Sequence, residues 1–133
     1  MRTFIFDSQA ILVLYLGESG ADRVAKRLTQ IVNGEALGYV NIFNLTEVYY
    51  ILCRKNKNLA EEKERNLLSF GVKAIPVTYD DGLWRLAASI KAIHSLSLAD
   101  AFAVASANRL KATLVTGSDT EFDSLLRLRM ERV

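Results

Sequence analysis

Four carboxylates in this chain occupy positions where a solvated surface acid is the less natural choice: Asp7, Glu47, Asp100 and Asp119. Asp100 lies in the run 97–110, which has no Gly or Pro and carries Ala at 99, 101, 103, 105 and 107, so it reads as one helix. Apolar residues fall on nearly every side of it, which predicts burial. The neighbours of Asp100 at i+3, i+4 and i+7 are Ala103, Val104 and Ala107, and none can pair with a charge. An unpaired buried carboxylate costs several kcal/mol, so something else must satisfy it. One answer is local: Ser97-x-x-Asp100 has the spacing of a capping box at the positive end of the helix dipole. The other is a metal ion shared with further acids.

Those acids allow the same two readings. Asp7 directly follows an apolar run at 3–6 and would serve as a helix N-cap. Asp119 follows Thr116, the end of the run 113–116, by three residues, and Ser118-x-x-Glu121 is a second capping-box spacing. Glu47 is harder to treat as a solvated side chain. It sits mid-way along the apolar stretch 42–54, with Phe43 and Ile51 at i±4 and only Asn44 and Arg54 as polar companions on that side. Four acids brought to one edge would repel one another, and a divalent cation relieves this. All-oxygen ligation suits Mg²⁺ or Mn²⁺, either of which activates water and clamps a phosphodiester for in-line attack. Thr116 and Ser118 would then position water or substrate.

Other chemistries find little support. The one histidine, His94, stands near a predicted helix C-terminus, where the dipole favours it as a surface residue, and a two-histidine nuclease is excluded. No phosphate-binding Gly-x-x-x-x-Gly-Lys-Ser/Thr or Gly-x-Gly-x-x-Gly occurs, and a serine nucleophile would lack its base. A single cysteine, Cys53, among apolar neighbours reads as a buried thiol and leaves no intrachain disulfide. With 17 basic and 15 acidic residues the net charge is +2, which permits nucleic-acid binding without demanding it. No apolar run is long enough to span a membrane, and the start leads into a strand pattern with no leader-like cleavage region. A soluble, cytoplasmic protein is expected.

The elements that must position these acids alternate. Short apolar runs at 3–6, 37–40, 73–77, 113–116 and 130–133 predict strands, the third an edge because of Pro76. Between them, 8–16, 21–32, 42–54, 60–70, 80–94 and 97–110 predict helices, and a short helix is expected from 118 to 126. Strands alternating with helices give an α/β fold, a parallel sheet covered by helices on both faces, and residues 1–133 read as one domain. Ligands of such sheets bind at the carboxyl ends of the strands, where Asp7 and Asp119 fall.

Asp7-Ser8, Glu47, the segment Leu96-Ser97-Leu98-Ala99-Asp100-Ala101-Phe102 and the segment Leu114-Val115-Thr116-Gly117-Ser118-Asp119 together resemble the PIN domain, and more narrowly the VapC-type toxin ribonucleases of toxin–antitoxin modules. The resemblance covers nearly the whole chain. It implies an endoribonuclease, a hydrolase of RNA phosphodiester bonds that depends on Mg²⁺ or Mn²⁺. Asp7, Glu47, Asp100 and Asp119 match the acidic quartet. Asp7, Asp100 and Asp119 would hold the metal, and Glu47 would complete the site or orient the attacking water. Thr116 matches the hydroxyl residue before the last acid. Many members place that acid two residues after the hydroxyl rather than three, so Glu121 and Asp123 compete with Asp119. The resemblance further implies a homodimer and a VapB-like antitoxin partner, with the apolar faces of 24–32 and 60–70 as candidates for self-association. Two alternatives stay open: a PIN-like RNA-processing nuclease outside any toxin–antitoxin pair, and a PIN-like binding module without catalysis. A phosphoacceptor signalling domain fits less well, because only one acid follows the first strand.

Overall fold

The computed structural model describes residues 1–117, 122, 125 and 127–133. Its strands are β1 (Arg2–Phe6), β2 (Ala36–Asn41), β3 (Lys73–Ile75), β4 (Thr113–Thr116) and β5 (Met130–Arg132). Its helices are α1 (Ser8–Tyr15), α2 (Ala21–Val32), α3 (Ile42–Lys55), α4 (Lys57–Ser69), α5 (Leu83–Ile93) and α6 (Leu98–Leu110). The strands form one sheet in the order β3-β2-β1-β4-β5, and every pairing is parallel. This is the α/β architecture expected from the alternation of strands and helices.

The central strand explains why its apolar run is continuous. Both faces of β1 are covered, so Phe4, Ile5 and Phe6 are all fully buried. Side chains alternate across the sheet: Phe4, Phe6 and Val115 join the core under α1, α2 and α4, while Ile5 and Leu114 join the core under α5 and α6. Helix α3 contributes to both, with Val48 and Leu52 in the first and Phe43 against the second. Close packing of α2 on β2 needs Gly38, where a Cβ would collide with Ile31 Cδ1.

Three boundaries differ from the sequence expectation by two residues or more, each for a local reason. Strand β3 stops at Ile75, before Pro76, which cannot donate to a ladder. Helix α5 starts at Leu83 and not at Asp80, because the Asp80 carboxylate accepts from the backbone N–H of Gly82 (2.8 Å) and Leu83 (2.6 Å) and so stands outside the helix. Helix α4 starts at Lys57, since Asn56 alone both ends α3 and caps α4. The short helix expected from 118 to 126 falls largely outside the described residues.

Most of the apolar face of α2 is used inside the fold, and only Val32 at its end is exposed. Val24, Leu28 and Ile31 lie in the protein's own core, because the stripe that makes the helix amphipathic is the one that covers the sheet. On α4, Ala60 and Leu67 are buried likewise. Cys53 is a free thiol, half-buried against the first core. No helix among the described residues is long and apolar enough to cross a membrane.

Candidate functional site

Parallel register builds the site. Phe6 pairs with Val115 and Ile5 with Tyr39, so the next level of the sheet sets Asp7 beside Thr116 on one side and Asn41 on the other. All three are buried polar residues at the carboxyl ends of their strands. The Asp7 backbone N–H extends the ladder by one bond, to Val115 O at 3.1 Å. Its carboxylate then turns into the gap at the start of α1. Oδ1 accepts from the Ala10 N–H at 2.9 Å as N-cap, and Oδ2 accepts a short bond from the Thr116 hydroxyl. The capping reading of Asp7 is thus structurally real, and it uses only one of the two carboxylate oxygens.

Burial governs the electrostatics of Asp7. It pushes the carboxyl from its ordinary 3.8 up to about 6, against the Thr116 and Ala10 bonds that hold it down; the nearby Glu47 charge adds to the rise. Among the described residues no cation pairs with Asp7. Glu47 reaches this place because α3 begins immediately after β2. The first turn of α3 is tied to the start of α1 by Asn44 Nδ2 donating to Ser8 Oγ at 3.1 Å. Glu47 stands one turn beyond Asn44, on the same helix face.

Asp100 lies in the first turn of α6 and is half-buried. Ser97 is the N-cap, its hydroxyl accepting from the Asp100 N–H at 3.1 Å. The serine half of the capping box read from Ser97-x-x-Asp100 is therefore present. Helix α6 runs antiparallel to β4, so its first turn comes to the same sheet edge as Asp7. The deeper part, Ala101–Ala107, is buried throughout.

Two contacts clamp α6 to α3. The Phe43 and Phe102 rings stack with centroids 4.2 Å apart. Below them, Asn41 Oδ1 accepts from the Phe43 N–H at 2.9 Å, capping α3, while its Nδ2 donates to Ser106 Oγ at 3.0 Å. Ser106 in turn donates to Phe102 O at 2.7 Å. The sequence reading missed Asn41 and Ser106. The available signal was a hydroxyl in the middle of an all-apolar helix, which must bond something.

Asp7, Thr116 and Glu47 are thus gathered, and Asp100 stands at the same edge. Asp119, Ser118, Glu121 and Asp123 lie outside the described residues. Among the described residues, no group of three or more His, Cys, Asp or Glu side chains comes close enough together to hold a metal ion. The chemistry of the donors nonetheless fits a hard cation. Asp7 is a dry carboxylate beside a second acid, and Asn44 Oδ1 is a buried oxygen with no hydrogen-bond partner among the described residues.

The fold and this edge define a parallel α/β domain with acidic side chains at the carboxyl ends of its central strands. The chain belongs to the PIN domain family, which it matches over residues 4–127. No curated protein matches its sequence. Among solved structures it is similar to VapBC2 from Rickettsia felis bound to a DNA fragment from its promoter, with a TM-score of 0.78, 15% identity and 98% of each chain covered. It is also similar to the Mycobacterium tuberculosis VapC20, a sarcin-ricin loop cleaving toxin, with a TM-score of 0.71, 16% identity, and 91% of this chain and 93% of that one covered. DNA-bound VapBC from Salmonella typhimurium gives a TM-score of 0.70 at 16% identity over 99% and 98% of the two chains. At these identities the likeness is one of fold.

Proposed function

We propose that this chain is a metal-dependent endoribonuclease acting as the toxin of a VapBC-type pair. The observation that carries the reading is Asp7: a buried carboxylate at the carboxyl end of the central strand, held near 6 by its dry surroundings and by Glu47, with no cation of the protein beside it among the described residues. A side chain so placed is costly unless a bound cation compensates it.

Asp7, Asp100 and Asp119 would hold Mg²⁺ or Mn²⁺, which when bound polarises the phosphate and lowers the pKa of water. The chain's own residues do the rest. Thr116 fixes one Asp7 oxygen by donating to it, and the Ala10 N–H fixes the other, so the carboxylate does not turn. Glu47, one turn into α3, would orient the attacking water and take its proton. The Asn41–Ser106 bond and the Phe43–Phe102 stack set the approach of α6, and with it Asp100, to α3. The toxin reading draws on the neighbours: VapBC assemblies and a toxin–antitoxin complex from Klebsiella pneumoniae share this fold, and a VapB-like antitoxin and a second copy of the chain are the partners proposed.

The test is RNA cleavage in Mn²⁺, in EDTA and by single variants. Cleavage should need the metal, stop with EDTA, fall at least a hundredfold in Asp7→Asn, and persist in His94→Ala. Equal loss in the Asp7 and His94 variants would overturn the mechanism.

A further inference from the structure

Three cavities lie end to end beside α6. The first, of about 330 Å³, is lined by Ile90, His94, Val104, Asn108 and Arg127 among others; the second, of about 210 Å³, shares Asn108 and Arg127 with it and adds Lys111 and Arg129. The third, of about 510 Å³, shares Lys111 and Arg129 and reaches Arg2 and Thr113. Val104, Asn108 and Lys111 lie on one face of the helix, at i, i+4 and i+7, so the cavities form one trough that follows it. Helix α6 runs from the catalytic edge to the opposite edge of the sheet. From Val104 to Lys111 the trough therefore follows about 10 Å of the helix, at 1.5 Å per residue.

The far half of this trough is basic. Arg2, Lys111, Arg127 and Arg129 are exposed and line it, with Glu35 as the one acid among its described lining residues. None of the four cations is in an ion pair among the described residues, where the pairs are Arg27–Glu131, Lys63–Glu62 and Arg109–Asp80. The basic residues of α4 differ, because Lys63 and Arg65 are interleaved with Glu61, Glu62 and Glu64. A mixed surface does not retain a polyanion, whereas a row of unpaired cations does.

We propose that this trough is a track for the phosphodiester backbone of RNA, gripping the substrate on the side of the sheet away from the scissile bond. The proposal rests on the ribonuclease reading for the identity of the polyanion. It extends that reading by assigning Lys111, Arg127 and Arg129 to substrate holding. The ribonuclease reading favours RNA over an acidic peptide, and the trough begins at His94, three residues before the N-cap of α6, on the way from the catalytic edge. The apolar walls at Ile90 and Val104 suit bases or riboses, and the cations beyond them suit phosphates.

The experiment measures binding of fluorescein-labelled poly(U) in EDTA across a salt series, separately from cleavage. Wild type is compared with the triple variant Lys111→Asn, Arg127→Gln, Arg129→Gln; Asn is chosen because Lys111 is left-handed, with φ of 52°. A control triple, Lys55→Gln, Lys57→Gln, Arg65→Gln, removes the same charge from α3 and α4. The trough variant should bind at least about tenfold more weakly at low salt, and its log–log salt slope should be smaller by about 2, at about 0.7 per phosphate contact. The control should stay within about twofold of wild type. Equal losses in the two triples, no loss in the trough variant, absence of poly(U) binding by wild type, or binding of poly-glutamate as tight as poly(U) would each overturn the proposal. Wild type that binds through the trough yet never cleaves RNA in Mn²⁺ would sink the nuclease reading and leave the track standing.

Discussion

Replacing Asp7 by Asn removes a charge that the metal-free fold holds at a cost. The carboxyl rises from 3.8 to about 6 on folding, mainly through burial. A raised acid favours folding while it is protonated, so its stabilising share is complete below pH 3.8 and is lost as pH climbs through 6. The full loss is 2.2 pKa units, or about 3 kcal/mol at 1.36 kcal/mol per unit. Integrating the two titrations puts about half of that loss by pH 5 and nearly the whole by pH 7.5. Asn keeps the other features of the site. It caps helices as well as Asp does, and its amide can donate to Thr116 Oγ1 once that hydroxyl turns round. Groups that move the other way, such as Asp80 and Glu131, held low by Arg109 and Arg27, titrate alike in both proteins and cancel in the difference. In EDTA, Asp7→Asn should therefore melt above wild type, by about 12 °C at pH 7.5 and about half that at pH 5, at roughly 4 °C per kcal/mol for a domain of this size. Calorimetry at the two pH values reads this directly. A mutant that melts below wild type at pH 7.5, or a gap that does not widen between pH 5 and 7.5, would refute the burial argument.

The other expectations use the same instruments. Asp100→Asn should match or exceed wild type in EDTA and gain much less than wild type from millimolar Mn²⁺, where wild type should gain about 2.7 kcal/mol at a hundredfold excess over its dissociation constant; equal metal shifts with the mutant lower throughout would make Asp100 a helix-terminal acid only. Mn²⁺ affinity should fall about tenfold per pH unit below 6, because the ion must displace the Asp7 proton; calorimetric titrations giving a constant affinity from pH 6 to 5 would remove Asp7 from the ligand set. Ser106→Ala leaves the buried Asn41 amide without its acceptor and should cost about 1–3 kcal/mol in denaturant unfolding, far more than an Ala substitution at an exposed serine.

The sheet and its helices were legible because their signals are local. Phe4-Ile5-Phe6 and Leu114-Val115 are apolar on both faces, and that pattern is what a doubly covered parallel strand requires. The helix starts were less legible, because Asp80 and Asn56 act from outside the helices they cap and only their hydrogen bonds reveal it. Asp7 and Glu47 could be singled out as acids in the wrong surroundings. Family resemblance points to Thr116 as a site hydroxyl, but that it donates to Asp7 is not legible, since two short apolar strands carry no pattern that sets their offset, and a shift of one residue would put a different side chain there. Asn41 ends β2 and caps α3, and nothing in its immediate sequence marks its second bond. Its partner Ser106 is 65 residues away, in a helix whose alanines made the serine look like one more small side chain.

The same buried positions bind the fold to the chemistry. A domain of ordinary stability, about 5–15 kcal/mol, gives up a sizeable fraction of it to keep Asp7 dry at neutral pH. Evolution has a cheap remedy at that position, since Asn would cap α1 and bond Thr116 without the penalty. A structural cap alone therefore gives no reason for Asp. A hard cation does, because it needs the negative oxygen that Asn lacks, and the low dielectric that raises the carboxyl's pKa also strengthens its attraction to a divalent ion. The Thr116 hydroxyl fits this account as well. It lowers the pKa of Asp7, opposing burial, so it favours the ionised form that a metal would take and not the protonated form that burial favours. Removing that hydroxyl while leaving the methyl, as in Thr116→Val, should consequently raise the Asp7 pKa further and weaken metal binding at pH 6 more than at pH 8.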